Sequence, residues 1–384
     1  MKRKMLKINM KITIMFSYLC ILIITCLSNN SCVGIDKPDP EQETALCKKN
    51  MRWSEGKANQ WYNSQPWPVG INYVTSSAVN QIEMWQEDTF DPQTIDKELG
   101  WAEDLGFNTV RIFLHDLLWE ADSLGYAKRI YTVLDICQKY EMRALVTFYT
   151  NGGKGIEPHL GKQSEYKPGV HNGGWVQSPG VSVVNDPSKW GHLERYIKGI
   201  INEFKDDNRI LMWCLYNEPE NDRLGANSMP LLRKTFEWAR SVNPSQPLTS
   251  PIMLMPCETR TRLDIVSFLG ENCDVITFHS YEDEKYVEKF IKLLKSFNRP
   301  VICTEYMGRP RSRFDNILPI FKKENVGAIS FGLVAGKCGF YNRWDGQEGD
   351  PEPEIWYHDI FRNDGTPYNE QEIELIKKLT GQSR

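Results

Sequence analysis

No surplus of positive charge marks this sequence. Lys and Arg number 46 against 50 Asp and Glu, a net charge of −4 over 384 residues. Nucleic-acid binders carry a basic face or excess, so the balance argues against that class. Metal-type spacing is also missing: ten cysteines include no C-x-x-C pair, and the six histidines form no ligand-spaced cluster. No G-x-G-x-x-G follows an early strand, which weighs against a dinucleotide-binding sheet. No repeat of 20–50 residues is evident, so solenoids and propellers are excluded. Apolar residues at 41% and charged residues at 25% are ordinary for a folded chain, and they exclude disorder, collagen and a disulfide miniprotein. Aromatics, in contrast, are plentiful, with 12 Trp, 16 Tyr and 16 Phe. Many must be core, because aromatics bury the most area per residue.

The first 31 residues read as an address. Lys2, Arg3, Lys4, Lys7 and Lys11 precede an uncharged run from Ile12 to Leu27. That run is short for a membrane span and suits the apolar segment of an export signal. Ser31-Cys32 follows, and a small residue before a cysteine at this place resembles a bacterial lipoprotein cleavage site. Asn29 stands where such sites prefer Leu or Val. The resemblance implies lipidation at Cys32 and anchoring to the outer membrane or cell surface; the alternative is a periplasmic or secreted protein. Residues 32–60 start polar and acidic, with Asp36, Asp39, Glu41 and Glu43, and read as a flexible tether. Cys214 and Cys303 sit inside apolar runs, as buried free thiols do.

Residues 61–384 alternate strand and helix patterns. Predicted strands are 69–73, 108–114, 143–149, 211–217, 247–251, 275–280, 301–306 and 328–334. Predicted helices are 94–105, 127–140, 189–204, 231–241, 261–269, 286–297, 313–324 and 370–379. Eight such units in about 300 residues predict a single-domain (β/α)8 barrel; an open doubly wound sheet is the structural rival. Two connections are oversized, 150–187 with eight glycines and 337–369. Both follow strands, so in a barrel both lie on the face where active sites are built. The acidic stretch 345–354 reads as a solvated face.

Two carboxylates end strands in register. Asn217-Glu218-Pro219 closes the fourth predicted strand, and Glu305 lies near the end of the seventh. The 87 residues between them make about 29 per βα unit, so both reach the same rim and face each other across the mouth. Glycoside cleavage needs such a pair: an acid for the leaving oxygen and a carboxylate for the electron-poor carbon. Their mutual repulsion should keep one protonated near neutrality. Arg111 on the second strand, and His279 and Tyr281 at the end of the sixth, fall on the same rim. His115, Asp116, Glu220 and Asp222 read as loop residues, the last two solvated.

With these residues in register the chain resembles glycoside hydrolase clan A, most closely the cellulase-like family 5. The resemblance covers about residues 67–336. It implies that Glu218 is the acid/base, Glu305 the nucleophile and Asn217 the amide on the sugar 2-hydroxyl. Arg111, His279 and Tyr281 match support and substrate-binding positions. Two family features are absent: a His near the end of the third strand, and a Trp at the end of the eighth. Trp344, on the following loop, is the candidate to supply that ring. The implied activity is a retaining β-glycoside hydrolase on poly- or oligosaccharide, with no cofactor and no metal. The alternatives are a catalytically silent carbohydrate-binding lipoprotein on the same barrel, and another barrel enzyme such as a lyase.

Overall fold

Residues 52–253 and 262–382 are described by a computed structural model. Cys32, the signal and most of the expected tether lie outside them. Strands β1 (Val69–Tyr73), β2 (Thr109–Phe113), β3 (Arg143–Thr150) and β4 (Ile210–Asn217) are followed by β5 (Leu248–Thr249) and β6 (Pro251–Met253). Then come β7 (Ile276–His279), β8 (Val301–Tyr306) and β9 (Gly327–Phe331). All neighbours pair in parallel, in the order β5-β4-β3-β2-β1-β9-β8-β7-β6. The two ends of that order, β5 and β6, are one predicted strand interrupted at Ser250, whose hydroxyl donates to the Tyr216 carbonyl at 2.5 Å. The nine segments therefore make eight staves, and the ring is the expected (β/α)8 barrel.

The covering helices begin and end where local chemistry dictates. Helix α1 (Glu55–Asn63) starts under a Ser54 cap on Lys57 N. Helices α2 (Gln81–Trp85) and α3 (Pro92–Glu103) start at Asn80 and at Asp91-Pro92. Then follow α4 (Asp116–Ala121), α5 (Ser123–Lys139), α6 (Val181–Val184) and α7 (Gly191–Phe204). The last five are α8 (Ser228–Val242), α9 (Leu263–Asn272), α10 (Glu284–Lys295), α11 (Phe314–Lys323) and α12 (Glu370–Thr380). In α7, Leu193, Tyr196, Ile197, Ile200, Ile201 and Phe204 repeat at helical spacing and are all buried. Each such side chain contributes about 1.5–3 kcal/mol. The last strand stops at Phe331 rather than at 334 because Gly332 turns the chain with φ +80°. No described helix is long and apolar enough to cross a membrane.

The tether reaches less far than residue 60. Arg52 donates to the Cys273 and Gly270 carbonyls, Trp53 N to Asp274, and Arg299 to the Trp53 carbonyl. Tyr62 on α1 joins the barrel's inner cluster with Leu145, Met212, Val275, Ile302 and Ile329, closing the N-terminal end. The signal missed there is the Ser54 cap before an otherwise weakly amphipathic stretch. Cys137, Cys214, Cys273, Cys303 and Cys338 are buried and unpaired; Cys47 and Cys257 lie outside the described residues.

Candidate active site

Sheet register assembles the site. Asn72 pairs with Arg111, Thr150 with Asn217, and His279 with Glu305. Strand alternation places Ile302 inward, so Glu305, three residues on, would face out of a regular strand. The register shifts between Cys303 and Tyr306, and this irregularity turns Glu305 into the mouth. Glu218 sits just past β4 with φ +50°, a left-handed conformation that L residues rarely take. Pro219 follows, and Asn221 N closes the turn onto the Glu218 carbonyl at 2.9 Å. Such strain is found where function fixes a side chain's direction.

Glu305 is held from two sides. Arg111 Nη1 donates to Oε1 at 2.7 Å, and the Tyr281 hydroxyl donates to Oε2 at 2.9 Å. The same guanidinium donates to Asn72 Oδ1 at 2.7 Å and to Asn217 Oδ1 at 2.5 Å. Asn72 is locked in turn by donating to the Thr304 and Ser330 carbonyls. Asn217 gives one amide hydrogen to Thr150 Oγ1 at 3.1 Å and is itself buried.

His279 bridges the two carboxylates. Its Nδ1 lies 3.0 Å from Glu218 Oε1, and its Nε2 lies 3.5 Å from Glu305 Oε1. Asn221 Nδ2 donates to the other Glu218 oxygen at 3.0 Å. Burial pushes the Glu218 carboxyl up, but the hydrogen bond and charge interaction with His279 and the Asn221 amide outweigh it. The net effect is to hold Glu218 below its ordinary range. The expected repulsion between the two carboxylates is met by the Arg111 guanidinium on Glu305 and by the His279 imidazole between them.

One atom from each of Glu218, His279 and Glu305 lies within 4.8 Å of the others. Among the described residues no other acid, His or Cys cluster has that spacing. A cation there would compete with the Arg111 guanidinium already on Glu305, so the donor set does not fit a resident metal.

A cavity of about 580 Å³ opens over this floor, lined by Glu218, Glu305, His279, Tyr281 and Trp344 among others. Trp344 stacks edge-on to Tyr281 at 5.1 Å and is 48% exposed, a ring at the mouth. Arg111 is fully buried and outside the lining. It therefore positions Glu305 and Asn217, and the expectation that it touches substrate is corrected. Glu220 is not solvated: it is buried, lines the cavity, and keeps one oxygen without a partner. Burial raises its carboxyl to about 8. Asp222 is exposed, as expected. His115 caps α4, and Asp116 accepts from Ser178 and pairs with His192, so both brace the long loop behind the site.

Sequence reasoning missed Asn72, Glu220, His171, His358 and Phe331 as site residues. Phe331 ends β9, where family 5 places its Trp, and lines the cavity. His171 and His358 reach the cavity from the two long loops. An Asn in the apolar run Val-Gly-Ile-Asn-Tyr was the one available signal for Asn72. The loop histidines carried none, because loop geometry has no period.

No model of a known protein family matches the chain, and no curated protein does. Solved structures do match in fold. An exo-β-1,4-mannosidase, Op5Man5 from Opitutaceae bacterium strain TAV5, superposes with TM-score 0.56 at 18% identity. The match covers 82% of this chain and 60% of that one, so this chain spans less than two thirds of that protein. An endo-β-1,4-mannanase from Thermotoga petrophila gives TM-score 0.54 at 16% identity, over 83% of this chain and 77% of that one. A glycoside hydrolase family 5 mannosidase from Rhizomucor miehei gives 0.52 at 14%, over 83% and 94%. At these identities the likeness establishes the barrel fold.

Proposed function

We propose that the chain is a retaining β-glycoside hydrolase acting on β-linked oligo- or polysaccharide. The observation that carries this reading is the carboxylate pair. Glu218 and Glu305 approach within 4.8 Å, close to the ~5–5.5 Å of double-displacement sites and well short of the ~6.5–9.5 Å that leaves room for a water. In the first step a Glu305 oxygen bonds the anomeric carbon as the carbon–oxygen bond to the leaving group breaks. Glu218 gives that oxygen its proton. The His279 Nδ1, 3.0 Å from Glu218 Oε1, and the Asn221 amide, 3.0 Å from Oε2, direct that carboxyl. In the second step water bonds the carbon, the Glu305 ester breaks, and the water's proton returns through Glu218.

The solved structures of like fold include mannosidases and a mannanase, so β-1,4-mannosides are the first sugars to try. The test is mass spectrometry of the protein incubated with 2-deoxy-2-fluoro activated manno-, gluco-, xylo- and cellobio-glycosides. A single adduct on Glu305 is expected. A folded protein that takes no label from any of them overturns the reading.

The export reading belongs to the same proposal. Residues 1–31 direct the chain out of the cytoplasm, and Cys32 carries the lipid. Labelled palmitate should enter the wild-type protein, and Cys32→Ser should move it to the soluble fraction. Membrane retention of that variant would refute lipidation at Cys32.

A further inference from the structure

Resting on the hydrolase reading above, we propose that the site is exo-acting. It removes one terminal sugar at a time from the non-reducing end, because the glycone side of the cavity is a blind pocket closed by two loops sewn together.

The seam is formed by residues 151–180, after β3, and 335–369, after β9. Asn172 N donates to the Cys338 carbonyl at 2.9 Å, and Gly349 N to the Pro168 carbonyl at 3.0 Å. The hydroxyls of Tyr166 and Tyr341 meet at 2.6 Å. Gly169 and Gly346 let the two backbones touch: a Cβ on Gly169 would sit 2.3 Å from the Gln347 oxygen, and one on Gly346 2.3 Å from the Gly169 oxygen. Both loops are also tied to the segment after β1. Lys337 N donates to the Ser76 carbonyl, Asn80 Nδ2 to the Gly174 carbonyl, and Gln81 Nε2 to the Val176 carbonyl. The rim over β3, β2, β1 and β9 is therefore one continuous wall.

The chemistry says which side is walled. The leaving group must lie at Glu218, whose surroundings are Glu220, Asn221 and Arg223. The sugar that Glu305 attacks must lie on the Glu305–Tyr281 side. That side is where the wall stands: Trp344 and His358 pack on Tyr281 at 5.1 and 5.5 Å, and Phe331 lies 5.0 Å from His358. A polysaccharide bound along its length needs a groove open at both ends, and this cavity has its wall where the next glycone sugar would go.

The wall is also built to read sugar hydroxyls. His358 Nδ1 faces the Met307 carbonyl, and His171 Nδ1 faces the Asn342 carbonyl at 3.1 Å. A carbonyl only accepts, so each Nδ1 carries the hydrogen and each Nε2 keeps a lone pair. Burial holds both imidazoles neutral, His171 down to about 4 and His358 well below its usual range. Two fixed acceptors beside a flat Trp344 ring suit the free hydroxyls of a chain end.

The experiment uses β-1,4-linked hexasaccharides of mannose, glucose and xylose, each tagged at the reducing end. Early products are read by chromatography and mass. Stepwise loss of single sugars is expected, with no tagged mid-chain fragment. A hexasaccharide bearing a bulky group on its non-reducing terminal sugar should resist cleavage. Mid-chain fragments at early times, or cleavage of the blocked substrate, overturn the exo proposal. Glu305 labelling in that same protein would show that the hydrolase reading stands. A folded protein that neither takes the label nor cleaves any substrate overturns both. Gly169→Leu should part the seam and raise the share of mid-chain products about tenfold. A folded Gly169→Leu protein that keeps wild-type products would also count against the wall.

Discussion

Arg111 holds three side-chain oxygens at once, on Asn72, Asn217 and Glu305. Lysine offers a point charge without the fork, so Arg111→Lys should leave Glu305 misdirected. Its kcat should fall about 100-fold, with KM changed far less, because the guanidinium lies below the cavity. A KM effect dominating kcat in steady-state assays would place the residue on substrate instead. Glu218→Ala should slow substrates with poor leaving groups by about 10²–10⁴-fold and spare activated aryl glycosides. Equal losses on both would remove it from the acid role. Glu220 supplies a pH test. Its carboxyl is raised from 4.5 to about 8 in the folded chain. The unfolded chain ionises it first, so its contribution to stability is present below about 4.5 and is lost as pH rises toward 8. Glu220→Gln should leave Tm near wild type at pH 4.5 and raise it by several degrees at pH 8. A variant destabilised equally at both pH values would contradict this.

At the scale of elements, the seventh stave shows why a strand pattern locates a residue without aiming it. Regular alternation along Val301–Tyr306 predicts Glu305 facing away from the mouth, and the register shift before Tyr306 reverses it. The position was legible as a carboxylate at a strand end. The inward turn was not, because a bulge is decided by pairing with β9. The expected tether failed in a similar way. Arg52, Trp53 and Tyr62 find their partners at Gly270, Asp274 and Asn325, more than 200 residues away. Removing residues 1–51 leaves these contacts in place. Removing residues 1–64 should lower Tm sharply, because it uncovers the inner cluster and leaves Asp274 with fewer partners. Thermal melts of the two truncations check this, and equal Tm values would refute it.

The described residues form a barrel whose two faces carry different work. Its N-terminal end is plugged by α1 and tied by the Asp274 network, while its C-terminal end carries the cavity over the Arg–Glu–His–Glu array. The five described cysteines contribute packing. Burial pushes the Cys137 and Cys273 thiols up to about 12. A thiol reagent should leave all five unmodified in the folded protein and reach them in denaturant. Rapid labelling of any of them under native conditions, read by peptide mapping, would show an opening that the packing does not predict.

The amino-acid sequence by itself determined the periodic part of this protein. Apolar runs and helical faces carry their own repeat, so eight staves, their covering helices and the spacing of Glu218 from Glu305 could be read without coordinates. Residues at strand ends inherit their place from that repeat, which is why Asn217, His279 and Tyr281 were found. The tertiary structure alone decided what depends on contacts between distant segments. It turned Glu305 inward, buried Glu220 beside Met253, and set His279 between the two carboxylates. It also brought the loops after the third and eighth staves together, so that His171 and His358 reached one cavity. Those outcomes follow from packing and register between chains of atoms far apart in sequence, and no local pattern encodes them.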